Sequence, residues 1–287
     1  MFKVVMKNDL PITFTYSLLR DNRLKYLYYS TPGSGMDTGE VSDGDVIVIR
    51  AKSTGGFITA FTCASNKKEV VIGPTSITLP NRIGNIPKPN AKSLIPPNGM
   101  NIVVGVGRVY VGQENNQAVY NSIVKEQFWQ RMPDSYSLFP GQTDTISMTT
   151  STGRQSVSSS NDQIAASVNA SAHAGWGPIG ASISSSLSMG SSTFQQVTMT
   201  EQQQTYRSKL CENKTDKPQI YFVWQITDIV TVSSPGGEVL STLVSVEAPA
   251  VIDGPYDPSD LPDPDPAEEI IPTGYLVGEP VSSLLGP

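Results

Sequence analysis

Between Gln163 and Thr200 the chain carries no Asp, Glu, Lys or Arg. Within that stretch Ile164, Ala166, Val168, Ala170, Ala172 and Ala174 alternate with Ala165, Ser167, Asn169, Ser171 and His173. Beyond Gly175-Trp176-Gly177-Pro178, the residues Ile179, Ala181, Ile183, Leu187 and Met189 alternate with Gly180, Ser182, Ser184, Ser186 and Ser188. A period of two puts one set on each face of a β-hairpin. The chemistry offered is partition between water and hydrocarbon, not the making of bonds.

Each arm holds about 11 residues, which at roughly 3.3 Å per residue and a tilt near 45° rises about 25 Å, the apolar height of a transmembrane barrel. A charge on the lipid face near midplane costs roughly 2 to 4 kcal/mol, so an uncharged run suits that position. Trp176, Pro178 and Ile179 form an apolar tip, and Trp is at home in a membrane interface. In lipid every strand edge must be paired, so one hairpin has to close into a barrel with others. The expected partners are therefore a target membrane, through a lipid or glycan receptor, and further copies of the chain in a homo-oligomeric ring. The same Ser/Ala/Gly pattern also describes a linker, a silk-like stack or a surface hairpin.

Bond-making chemistry finds little support. The single histidine, His173, lies on the serine face of the hairpin, where neither a nucleophilic triad nor a metal cluster can be built around it. No enzyme activity, cofactor or metal is expected. The string GVGRVYVG at 105–112 lacks the P-loop lysine and the dinucleotide spacing, and its glycines read as strand kinks. Cys63 and Cys211 belong to no C-x-x-C pair, and a bridge between them stays open. The net charge of −6 comes largely from an acidic C-terminal stretch without Lys or Arg, which leaves no basic patch for nucleic acid. The opening MFKVVMKNDLPITF lacks the pattern of a secretory leader, and there is no apolar run long enough for a transmembrane helix.

Elements that would position the hairpin follow from short β-branched and aromatic runs separated by turn residues, in a chain with only 16% charged residues. Residues 1–80 read as a small β-sandwich with strands near Phe2–Met6, Ile12–Leu19, Leu24–Ser30, Val46–Ala51, Phe57–Cys63 and Val70–Ile72. A proline-rich linker is expected over 81–97 and a second β domain over 98–252, with the hairpin at 163–190. Ser/Thr-rich stretches on either side of the hairpin are expected to lengthen its two strands. Ile220–Val232 should pair with Val239–Glu247 across Ser234-Pro235-Gly236-Gly237, and IYFVWQITDIV should be a central strand. From 253 to 287 an acidic Pro-Asp tail is expected to be extended, without helix or interior strand. Tyr26, Tyr28 and Tyr29 are candidates for target binding, and alternation sends at least one of them to the core.

The order of these elements resembles the aerolysin superfamily of β-pore-forming toxins, and within it the monalysin-like group. The resemblance rests on VYVGQENNQAVYNSIV at Val109–Val124, DTISMTTS at Asp144–Ser151, the uncharged hairpin and IYFVWQITDIV at Ile220–Val230. It implies a mostly β fold, an elongated pore-forming domain behind the N-terminal sandwich, secretion as a soluble form, ring assembly, barrel insertion and an activating protease. Insect or other invertebrate targets follow from the same resemblance. Monalysin-like proteins lack a separate receptor-binding domain, so the extra N-terminal residues suggest a targeting module. The tail is either an activation peptide or a solubilising extension. The alternative function is a non-lytic carbohydrate- or lipid-binding protein, a lectin or adhesin; a fibre or coat component is a third reading.

Overall fold

The structure is a computed structural model, and it describes residues 1–77, 84–155, 159–171, 175–187, 196–197, 199–246, 248–266 and 270–271. It is mostly β, with two sheets. Strands β1 (Val5–Asn8), β4 (Gly35–Asp37) and β7 (Glu69–Ile72) form a three-stranded sheet in the order β4-β1-β7. It lies over β2 (Phe14–Arg20), β5 (Val46–Ala51) and β6 (Phe57–Thr62), and the two layers enclose Met6, Phe14, Tyr16, Ile49, Ile58 and Ile72. Alternation in β2, with Phe14, Tyr16 and Leu18 buried, is the sequence signal that builds this core. Val103, Val106 and Val124, from strands further along the chain, complete it.

The second sheet is continuous and large. Its order is β11-β10-β13-β12-β9-β8-β6-β5-β2-β3, with β14 also paired to β12. Here β3 is Arg23–Ser30, β8 is Ile102–Glu114, β9 is Gln117–Leu138 and β10 is Thr143–Arg154. The remaining strands are β11 (Gln203–Glu212), β12 (Gln219–Ser233), β13 (Val239–Val246) and β14 (Val251–Tyr256). One parallel pair, Phe57 with Ile102, carries the sheet from β6 to β8. The tight turn between β8 and β9 is made by Asn115 and Asn116, both at positive φ, as a right-twisted hairpin requires. Glycine bends appear where expected in β8, with register shifts between Val103 and Gly105 and between Tyr110 and Gly112. As read from the sequence, β12 is central and its Trp224, Phe222 and Val223 are buried; it pairs with β13 across the Pro-Gly-Gly turn.

One expectation is corrected. The stretch after Ile252 is not wholly an extended tail: Val251–Tyr256 form β14, which covers the part of β12 from Ile220 to Trp224 that β13 does not reach. Further on, Ile271 is 3% exposed and packs with Leu19, Val46, Val48, Phe57 and Ile102 on the outer face of the N-terminal strands, while Arg50 donates to the Ile270 carbonyl at 2.9 Å. A pair of isoleucines within a Pro-acidic run finds an apolar face that the local composition did not reveal. Cys63 and Cys211 are both free and buried in different clusters, and burial pushes the Cys63 thiol up to about 12.

Candidate functional site

The hairpin expected at 163–190 belongs to a membrane-inserted form; in this folded chain the described part of the segment is helical. The alternation predicts two strands, whereas the structure folds Asn161–Ser167 as helix α1 and Trp176–Ser186 as helix α2. Ser160 caps α1, its hydroxyl accepting from the Gln163 N–H at 3.2 Å while its own N–H donates to the Gln163 side chain at 2.8 Å. Asp162 sits in the first turn, where the helix dipole favours a negative charge. The helix ends at Val168, and Asn169 follows at φ 51. Gly175, at φ 77, opens α2, whose Gly, Pro and Ser content gives it poor intrinsic helix propensity. Helices this short are marginal by themselves, so tertiary packing holds them.

That packing uses residues four apart. Ile164 and Val168 in and after α1, and Ile179, Ile183 and Leu187 in and after α2, are buried against Ile123 of β9, Val230 and Val232 of β12 and Leu243 of β13. Each such side chain contributes about 1.5 to 3 kcal/mol by leaving water. Because four is a multiple of two, bulky residues at every fourth position with small ones between them satisfy both the strand and the helix pattern. The intervening Ala166 and Ala181 are exposed in the helical form and Ala170 is half-buried. Ala172, Ala174, Met189 and His173 lie outside the described residues.

Polar contacts fix the cover in place. Asn121 donates to the Ser167 carbonyl at 2.9 Å, and the Ser167 and Ser241 hydroxyls are 2.7 Å apart. Ser182 of α2 donates to the Val168 carbonyl at 2.8 Å, which joins the helices. Trp176, read as an apolar tip, is folded back with the Arg154 guanidinium 3.9 Å from its ring centre. The end of α2 rests on bare backbone: a Cβ on Gly107 would stand 1.8 Å from the Ser186 carbonyl oxygen. Beside this apolar contact, Lys125 of β9 and Asp228 of β12 form an ion pair at 2.9 Å, both side chains fully buried, and Lys125 Nζ donates to the Gln196 carbonyl at 2.5 Å.

Sequence reading did not find Arg154, Gly107, Lys125 or Asp228 as parts of this site. The capping box Ser160-x-x-Gln163 and the four-residue spacing of Ile179, Ile183 and Leu187 were the available signals for helix. The three tyrosines are also divided. Tyr26 and Tyr28 have ring centres 5.2 Å apart, and the Tyr26 hydroxyl donates to the Thr38 carbonyl at 2.9 Å. Across β2 the partner of Tyr28 is the core residue Tyr16 and that of Tyr29 is Thr15, so Tyr29 faces the other side, 56% exposed, with Lys52 Nζ 4.5 Å from its ring centre.

Among the described residues, no group of His, Cys, Asp and Glu is placed to hold a metal ion, and no helix is long and apolar enough to cross a membrane. No family model matches the chain, and no curated protein matches it. Among solved structures it is similar to Cry35Ab1, at 11% identity and a TM-score of 0.41, over 77% of this chain and 60% of that one. It is also similar to the oligomeric pore-forming toxin pro-Monalysin, at 11% identity and a TM-score of 0.29, over 61% of this chain and 77% of that one. The chain thus spans 60% of the length of Cry35Ab1. These are likenesses of fold.

Proposed function

We propose that this chain is a secreted pore-forming toxin that assembles into a ring on a target membrane and threads the 163–190 segment through it as a β-hairpin. One observation carries the reading. Strands β10 and β11 pair without a register shift, from Thr143 with Glu212 to Thr152 with Gln203, and the uncharged segment is the connection between them. Extending that ladder one residue at a time pairs Val168 with Leu187, Ala172 with Ile183, Ala174 with Ala181 and Trp176 with Ile179. It closes on a two-residue turn at Gly177-Pro178, with Gly at the first central position that a type II′ hairpin turn requires. Directly paired residues share a face in an antiparallel ladder, so the register brings both apolar sets to the same side. Their side is that of Ile146, Met148 and Thr150, the inward face of β10.

In this reading the soluble form stores the segment as two poorly propensive helices, and contact with a membrane releases it. Target recognition falls to the N-terminal strands, with the exposed Tyr28 and Tyr29 as contacts and Tyr26 supporting them. An activating protease and insect targets belong to the same reading.

Dye release from liposomes and from cultured insect cells, before and after limited trypsin, tests it. Since Cys63 and Cys211 are buried, an environment-sensitive fluorophore can be placed on Ala166→Cys or Ser171→Cys, both exposed in the soluble form. Leakage with a blue shift at 166 and none at 171 is the expected result. Cell binding without leakage under any condition would instead make the chain a non-lytic lectin or adhesin.

A further inference from the structure

The face that the segment covers is not uniformly apolar. Ile123 and Lys125 alternate on β9, Asp228, Val230 and Val232 on β12, and the register pairs Ile123 with Val232, Lys125 with Val230 and Gln127 with Asp228. The ion pair therefore shares the sheet face of the apolar cluster that seats Ile164, Val168, Ile179, Ile183 and Leu187. Ser245 of β13 stands opposite Asp228, and Arg154 of β10 stands opposite Ser245, so a second cation lies along the same row. From above, Lys125 meets the Gln196 carbonyl, and Val197 and Met199 pack against the same cluster. Both charged side chains are fully buried.

We propose that the Lys125–Asp228 pair is a release element, which makes the covering segment detachable from the sheet. This rests on the pore-forming reading for its purpose, though not for its physics. Burying two ions loses their hydration, and their mutual attraction in the interior only partly restores it. An apolar pair of similar volume in the same place has no such deficit. When the segment lifts, Lys125 and Asp228 regain water, which offsets part of the apolar surface exposed in the same step. The pair thus narrows the free-energy gap between the closed and open forms, where an all-apolar seat would hold the segment shut.

The test is Lys125→Met with Asp228→Leu in the full chain, read by hydrogen exchange of peptides covering 159–171 and 175–187 and, separately, by dye release. Exchange in the double variant is expected to slow by on the order of tenfold or more, with dye release slowed in parallel. Asp228→Asn alone, which removes the carboxylate charge of the pair while the Lys125 ammonium stays buried, should speed exchange of the same peptides. If the double variant does not fold, Lys125→Met with Asp228→Asn carries the same expectation of slower exchange. Unchanged or faster exchange in a folded double variant would overturn the proposal, since it would mean that the pair specifies the seating of the segment and does not loosen it. Exchange is measured on soluble protein without membranes, so its outcome is independent of whether the wild type leaks.

Discussion

Ala166 and Ala181 would distinguish the folded form from the proposed inserted one. Both are exposed on the helices, so Arg at either position should change the stability of the soluble protein by no more than about 0.5 kcal/mol. In the proposed hairpin both would lie on the lipid face, between midplane and interface, where Arg costs roughly 1 to 3 kcal/mol at each position. The double variant Ala166→Arg/Ala181→Arg therefore loses roughly 2 to 6 kcal/mol per subunit, which lowers the inserted fraction by at least about 30-fold. Ser171→Arg is the control, since Ser171 is exposed in the folded chain and would fall on the lumen face of the proposed hairpin. Thermal melts should show three equally stable proteins, and dye release should be lost only in the double variant. Equal leakage by all three, or equal loss in the control, would refute the facial assignment. Charge at Val168 or Ile183 is the poorer experiment, because both are fully buried and the soluble fold would fail first.

Gly107→Ala should push the end of α2 off β8, because the added Cβ would stand 1.8 Å from the Ser186 carbonyl oxygen and 2.9 Å from the Leu187 Cα. A loss of about 1 to 3 kcal/mol is expected in the seating of α2, read as faster hydrogen exchange over 175–187 with β8 itself unaffected. Glu126→Gln addresses a buried carboxyl that accepts from Thr54 and from Asn101 at 3.0 Å, tying the β5–β6 turn to β9. Burial holds the Glu126 carboxyl above its ordinary range. A folded-state value raised in this way contributes stability that is complete below the unfolded value and is lost as pH rises through the folded one. The Gln variant should thus melt higher than wild type at neutral pH and match it near pH 4, and a difference of the opposite sign would contradict this.

Much of the β architecture was legible in residue types. Alternation in Phe14–Arg20 and the bulky run Ile220–Val230 became a sandwich layer and a central strand, because one-face burial leaves its period in the sequence. The pairing of β12 with β13 followed from turn residues with little conformational choice. Partners distant in sequence were not legible. Ile271 docks on Leu19 and Phe57, and Lys125 meets Asp228, through contacts that no local window contains.

The segment from Gln163 to Leu187 marks the boundary between the two kinds of information. Its sequence determined that it carries no charge, that Ile164 and Val168, and likewise Ile179, Ile183 and Leu187, stand four apart, and that small residues lie between them. Such a pattern suits a helix and a strand equally, and neither form is favoured strongly by intrinsic propensity. The choice of helix in the folded chain was made by tertiary structure, because Ile123, Val230, Val232 and Leu243 offer one apolar face that Ile164, Val168, Ile179, Ile183 and Leu187 cover together in the helical form.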